Sequence, residues 1–256
     1  MIPSPEEEKA IQSIEASEPR ARRLEWHDGD ELLAVVVVRP PRIAPGEDRA
    51  SQAFRDWVDA LHDVERRASA ANNLALECVA WPERPVLRAF LEASPEAVYT
   101  IADVAGGLGS PDRPEGAPDA EGDVVSRKGG EWVRASGAAL SPEHTARMNA
   151  LRVANPLGRL AALILDCGLG DELFVAKGAR SARHHEARAA GQKGRLYDAA
   201  ELYATGGTVL EPSAERFAAA VAERPGLILA VGGMVRDLGS PGDVKLGKAR
   251  PSSGGR

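Results

Sequence analysis

One block of this sequence recurs 130 positions along the chain without a gap. Aligning the two copies of Leu-Gly-Ser-Pro, at 108–111 and 238–241, also places Pro82 on Pro212. Over the thirty positions that end at these tetrapeptides, seven are identical, and many apolar positions coincide. Because prolines, glycines and apolar spacing together indicate where helices begin, end and bury a face, we expect the two blocks to fold alike.

A second match lies upstream, with a different spacing. Asp-Glu-Leu-Leu at 30–33 resembles Asp-Glu-Leu-Phe at 171–174, which is 141 positions later. We interpret the chain as two tandem copies of one small unit, 30–111 and 171–243. The two spacings imply that the first copy has 11 more residues (141 − 130) between the matched motifs, within 40–70. A chance similarity in a chain rich in alanine, glycine and proline is the alternative.

Each unit is predicted to contain one strand followed by helices. The run "ELLAVVVVRPP" is β-branched and ends at Pro40, which cannot continue a central strand. Pro82 and Pro212 stand where new helices are expected to start, and Ser213 is a predicted N-cap. The repeated tetrapeptide, with glycine followed by proline, is typical of a helix end. The expected fold class is α+β and predominantly α-helical.

The rest of the chain is assigned from its composition. Residues 1–29 form an acidic segment that we expect to be disordered, as we do for the tail 244–256. Residues 112–170 are expected to be a linker followed by a helical insert, with Ser141 as N-cap and Pro142 at the first helical position. The apolar second half of this insert, 157–167, is expected to be buried.

Composition limits the functional classes. The net charge of −6 argues against a nucleic-acid binder, which would carry a basic face to neutralise phosphates. No apolar run approaches the roughly 20 residues that span a bilayer, and the acidic N-terminal sequence lacks the pattern of a signal peptide. With only two cysteines, a disulfide framework is not expected. We expect a cytoplasmic protein that binds neither membrane nor nucleic acid.

Few side chains in the sequence suggest chemistry. His184, His185 and Glu186 form the densest group of residues that can bind a metal. Adjacent helical residues point about 100° apart, so the two histidines do not converge on one ion. The glycine-rich stretches lack the strand, turn and helix order of a phosphate-binding loop. We therefore expect a non-enzyme with no cofactor and no metal site.

The order of features in the first unit resembles the small tail assembly chaperones of tailed bacteriophages. Those proteins carry Arg-Pro after a strand, an apolar helix ending in a Val-x-x-Pro step, a helix ending in Pro and a last helix closing in Gly. The second unit lacks the Arg-Pro step. The matching positions are Arg39–Pro40, Val79–Pro82, Ala89–Pro95 and Val98–Gly109 in the first unit, and Val209–Pro212, Phe217–Pro225 and Ile228–Gly239 in the second.

This resemblance implies a helical adaptor that binds other phage tail proteins, such as the tape-measure or tube protein, and has no catalytic activity. The helix faces around Trp57, Trp81 and Phe217 are the expected partner contacts. One alternative is a structural tail or baseplate component that is retained in the particle. Another is a metal-dependent enzyme that uses the cluster of His184, His185 and Glu186.

Overall fold

The structure, a computed structural model, describes most of the chain. Within the described residues the chain forms ten helices and eight strands, and the strands build two antiparallel sheets. The predicted α+β class is confirmed. The described segments are 1–28, 31–43, 51–61, 63–111, 123–128, 131–155, 160–166 and 171–239.

The N-terminal half, residues 1–111, contributes the first sheet and five helices. The three strands lie in the order β1-β2-β3, and both neighbouring pairs are antiparallel. In chain order the elements are α1 (Pro5–Ser17), β1 (Arg22–Asp28), β2 (Glu31–Val38), α2 (Gln52–Asp59), α3 (Val64–Cys78), β3 (Val79–Trp81), α4 (Arg84–Ala93) and α5 (Glu96–Gly109).

The C-terminal half, residues 123–239, contributes the second sheet and the other five helices. The strand order is β5-β4-β6-β7-β8, so a hairpin of two strands extends the sheet beyond β6. The elements are β4 (Asp123–Lys128), β5 (Glu131–Arg134), α6 (Pro142–Ala154), β6 (Leu160–Asp166), β7 (Asp171–Lys177), α7 (Ser181–Gln192), α8 (Leu196–Ala204), β8 (Val209–Glu211), α9 (Ala214–Glu223) and α10 (Leu227–Gly239).

From α6 onward, the C-terminal half repeats the element order of the N-terminal half, which is helix, two strands, two helices, a short strand and two helices. The short strand pairs in the same way in each, with Val38 opposite Val79 and Ala176 opposite Val209. By this pairing β2 and β7 correspond at a spacing of 138 (176 − 38), so the predicted spacing of 141 is wrong. The match of Asp-Glu-Leu motifs misplaced the strands by three residues, and Asp30 lies outside the described residues.

The valine run of β2 is buried on both faces of its sheet. Val36 and Val38 point into the main core, while Val35 and Val37 pack against α1 through Ile11. Side chains alternate between the faces of a strand, so only a sheet covered on both sides buries four consecutive valines.

The strand β7 repeats this arrangement. Phe174 and Ala176 point into the same main core, while Leu173 and Val175 pack against α6 through Met148. In each half, therefore, the helix that precedes the hairpin covers one face of the sheet, and the later helices cover the other.

The expectation that residues 1–29 are disordered is wrong for the part that the structure describes. Ser4 caps α1 in a capping box with Glu7, and Pro5 occupies the first turn. Ile11 is fully buried against β2. The acidic composition misled the prediction, because most of the charged residues lie on the outer side of a helix that turns Ile11 and Ile14 toward the sheet.

The second half of the predicted helical insert is a strand. Helix α6 begins after Ser141 as expected, since its side chain accepts a hydrogen bond from the N–H of His144. The apolar run at 157–167, however, contains β6, whose residues 162–165 are buried as predicted. A short apolar run does not by itself distinguish a buried helix from a central strand. Cys167 lies outside the described residues.

Predicted helix ends agree with the structure in the repeated block, but the helices expected to start at Pro82 and Pro212 begin two residues later, at Arg84 and Ala214. Ser213 caps α9 by accepting from the N–H of Arg216, and α5 and α10 end at Gly109 and Gly239. A Cβ added at Gly109 would lie 2.8 Å from Cε2 of Phe54, so this helix end requires glycine for close packing. The second tetrapeptide beyond Gly239 and the tail 244–256 lie outside the described residues.

The two halves meet in one continuous hydrophobic core. The ring of Phe54 on α2 meets that of Tyr197 on α8 edge-on, with centroids 6.0 Å apart. Backbone N–H groups of the C-terminal half reach across the junction. That of Tyr197 donates to Asp59 Oδ1 at 2.9 Å, and that of Gly226 donates to the carbonyl of Gly109 at 2.7 Å. The halves are thus joined by both apolar packing and hydrogen bonds.

Among the described helices, none combines the length and the apolar character that crossing a membrane requires.

Candidate protein-binding site

The structure buries two of the three predicted partner contacts. Trp57 is 4% exposed and Phe217 is 8% exposed, and both belong to the main core. Trp81 is half-buried against the small cluster between α1 and β2. A partner can therefore reach little of the Trp57 or Phe217 side chain in this fold. In an alanine-rich core these large rings fill space between helices.

The predicted metal-capable residues lie on α7, where His184 is half-buried and His185 and Glu186 are exposed. Nδ1 of His184 lies 3.2 Å from the hydroxyl of Tyr203, and the ring of His185 meets that of His184 edge-on. In the described part of the chain, no three His, Cys, Asp or Glu side chains lie close enough to hold a metal ion. His184 and Tyr203 also line a cleft of about 610 Å³ between α7, α8 and α10.

A larger groove, of about 850 Å³, opens where β4 leaves β6. The two strands pair only as far as Val125 and Ala162, whereas β4 continues beside β5 to Lys128. Past this point the groove runs between the separating strands and the last turns of α10. Its lining residues are Val124, Val125, Ser126, Arg127, Trp132, Arg152, Leu160, Ala161, Ala162, Leu163, Met234, Asp237 and Leu238.

The walls of this groove are apolar and partly open to solvent. Val124 on β4 is 40% exposed, although it stands opposite Leu163 in the middle of the second sheet. Met234 and Leu238 of α10 form the opposite wall. Valine on a paired strand would normally be covered, so the exposure of Val124 indicates a surface that another apolar group can cover.

Charged and aromatic side chains form the rim of the groove. Arg127 lies over the ring of Trp132, with its guanidinium carbon 5.8 Å from the ring centroid. The indole N–H of Trp132 donates to Oδ1 of Asn149 at 2.8 Å and fixes the ring against α6. Arg152 and Asp237 complete the rim, which thus carries two guanidinium groups and one carboxylate. A ligand at this rim would therefore meet charges of both signs.

A buried carboxylate holds the hairpin that builds the groove. Asp123, at the start of β4, is fully buried and accepts hydrogen bonds from Arg134 Nε at 2.5 Å and from the backbone N–H of Ser136 at 2.9 Å. The hydroxyl of Ser136 donates a third, at 2.5 Å. The carboxylate therefore links β4 to the end of β5.

We expect acid to loosen this hairpin. Burial alone would raise the pKa of Asp123, but hydrogen bonds from Ser136 and Arg134 outweigh it and lower the pKa below the ordinary 3.8. Because the pKa of Asp123 is lower in the folded than in the unfolded protein, the ionised carboxylate stabilises the fold. This stabilisation is complete above about pH 3.8 and is lost as the pH falls through the folded-state pKa. The measurement is the protection of the Val125 and Val133 amides from hydrogen exchange, relative to an unfolded chain at the same pH. This protection should fall as the hairpin loosens in acid.

The control for this prediction is Asp123→Asn. This variant removes the titrating group, so its hairpin should exchange faster than wild type at neutral pH and show a weaker dependence on acid. An equal acid dependence in both proteins would contradict the role of Asp123.

The sequence contained a signal for this hairpin that was assigned to a linker. The segment "DVVSRKGGEWVR" places Gly-Gly between two short runs, each of which contains a pair of adjacent strand-favouring residues, Val124–Val125 and Trp132–Val133. Two such runs separated by two glycines are typical of a β-hairpin. The proline- and glycine-rich residues just before it concealed that pattern.

Comparison of the chain with protein-family models, curated proteins and solved structures found no match.

Proposed function

We propose that this chain is a non-catalytic adaptor that binds another protein in the groove between β4, β6 and α10. The observation that supports this proposal is the groove itself, which combines apolar walls that open to solvent at Val124 with a rim that includes two arginines. An occupant of fitting chemistry is a protein segment that buries apolar side chains against Val124 and Met234 and carries Asp or Glu toward Arg127 and Arg152. Separation of the strands leaves room for such a segment's backbone.

We also propose that the chain arose by tandem duplication of a unit longer than the sequence alone suggested. Helices α1 and α6 both begin at the proline of a Ser-Pro-Glu sequence, with Ser4 and Ser141 as N-caps. The buried residue that faces the sheet, Ile11 or Met148, follows seven positions later in each. The proposed units are therefore 4–111 and 141–239, and the β4–β5 hairpin is an insertion between them.

The resemblance to tail assembly chaperones supports a specific setting for this adaptor. In that setting the chain acts in the cytoplasm during assembly of a phage or phage-like tail, and the bound segment belongs to the tape-measure or tube protein. The alternative of a structural tail or baseplate component uses the same groove. The two differ in whether mass spectrometry of purified particles detects this chain. The metal-dependent enzyme lacks a set of ligands in the described residues.

Photo-cross-linking in the native host tests the proposed function. A photoreactive amino acid replacing Val124 should give covalent adducts with a tail-tube or tape-measure protein. The same amino acid replacing Val86, which is 48% exposed on α4 and lies outside the groove, is the matched control and should give none. Equal adducts at both positions, or none at position 124, would contradict the proposal.

Charge reversal gives a second test of the same contact. We expect Arg127→Glu with Arg152→Glu to weaken binding of that partner about tenfold or more, because a negative rim repels an acidic segment. Unchanged affinity of the double variant would show that the rim does not recognise the partner. Circular dichroism of the variant controls for its fold.

A further inference from the structure

In the second sheet, the edge of β6 that faces away from β7 is covered by another strand. There β4 pairs with β6, with Val124 opposite Leu163. In the first sheet β1 holds the place of β6, since each is the first strand of a hairpin whose second strand pairs with the short strand. Among the described strands, none pairs with the outer edge of β1. An open strand edge offers backbone donors and acceptors to another strand.

We propose that the outer edge of β1 pairs, antiparallel and across a two-fold axis, with β1 of a second copy of this chain. The two three-stranded sheets then form one continuous sheet of six strands. A two-fold contact of this kind needs a surface that complements itself. If a residue of one copy contacts a second residue of the other copy, the reciprocal contact is also made.

The sequence of β1 has this self-complementarity, centred on Leu24. In a register that places Leu24 opposite Leu24, Arg23 of one copy faces Glu25 of the second, and the contact occurs twice. Both charges already lie on one face of the strand, because Nε of Arg23 donates to Oε1 of Glu25 at 2.7 Å. Opposite charges directly across a strand pair stabilise it, whereas like charges destabilise it. Charged edges usually prevent association, but in this register every facing charge is of opposite sign.

The other face of β1 supplies apolar contact in the same register. Leu24 and Trp26 are half-buried against the main core, and the Trp26 ring meets Phe90 edge-on with 5.2 Å between centroids. In the proposed pair Leu24 lies against Leu24, and Arg22 lies across from Trp26. The β1–β2 register shifts between Trp26 and His27, so the regular part of the edge ends at Trp26.

The test exchanges the charges and measures the mass of the full chain by light scattering over a dilution series. Wild type is expected at twice the monomer mass and to dissociate on dilution. Arg23→Glu and Glu25→Arg each place two like-charged pairs across the interface, so each should raise the dissociation constant about tenfold or more. An equimolar mixture of the two variants restores unlike pairs, and the mixture should associate as tightly as wild type.

Three outcomes would overturn the proposal. They are a wild-type chain that is monomeric throughout the series, variants that dimerise as wild type does, and a mixture no tighter than the variants alone. Arg23 also contacts Glu8 within the chain, so circular dichroism of each variant verifies its fold. Tight association in the mixture would also show that both variants are folded, because a misfolded β1 could not form the strand pair. The result is independent of the groove, because none of the residues changed lines it.

Discussion

Gly232→Ala is expected to destabilise the protein by about 2–3 kcal/mol, although alanine is the better helix former. A Cβ at position 232 on α10 would lie 2.5 Å from the carbonyl oxygen of Ala200 and 2.7 Å from its Cα, both on α8. These are backbone atoms of a helix, so they cannot move aside as a flexible side chain would. The two helices would have to separate within the main core.

Gly107→Ala is the matched control for this substitution. Gly107 also lies within a helix, α5, but a Cβ there would meet no atom within 4 Å. We expect this variant to gain up to about 1 kcal/mol from helix propensity. Urea unfolding of both variants measures the difference. Equal stabilities for the two alanine variants would contradict the close contact between α8 and α10.

Phe54→Ala is expected to have the largest effect, a loss of about 3–5 kcal/mol. Phe54 is 1% exposed, and its ring lies between the N-terminal helices and Tyr197 of the C-terminal half. Removing it leaves a cavity at the junction, where Asp59 also accepts the backbone N–H of Tyr197. The variant should therefore loosen α8 as well as α2.

Leu61→Ala is the control for this second prediction. Leu61 follows α2 closely and is 39% exposed, so its removal should cost less than about 1 kcal/mol. Amide hydrogen exchange of α8 in the two variants distinguishes a local from a transmitted effect. Faster exchange confined to the N-terminal half in Phe54→Ala would contradict coupling through the junction.

Local signals predicted the parts of the fold that depend on neighbours in sequence. Ser213 and Ser141 are N-caps as expected, and Gly109 ends its helix, because capping and termination involve residues only a few positions apart. The run ending at Val38 was recognised as a strand because its β-branched residues favour extended backbone.

The remaining features depend on pairing between distant segments. Helix α1 has few apolar residues, and its position is explained by the contact of Ile11 with the valines of β2. The strand β6 was assigned to a helix because its apolar run lacks the alternation that a one-sided strand shows. The groove arises where β4 stops pairing with β6 after Val125, and no local pattern indicates where two strands separate.

The same dependence on distant packing concerns the expected partner contacts. Trp57 and Phe217 were expected from the order of helices and prolines in each unit, which does not indicate how deeply a side chain is buried. In this chain the same residues fill a core that is otherwise rich in alanine and valine. The exposed valine that lines the groove, Val124, lies instead within a segment that composition assigned to a linker.

The most direct test asks whether the two halves unfold as a single folded body. The measurement is native-state amide hydrogen exchange of the most protected residues of β2 and β7, with increasing denaturant. Because both strands bury side chains in the same core, we predict that their free energies of opening converge on one value, that of global unfolding. Separate values, with one half opening while the other remains protected, would contradict the shared core.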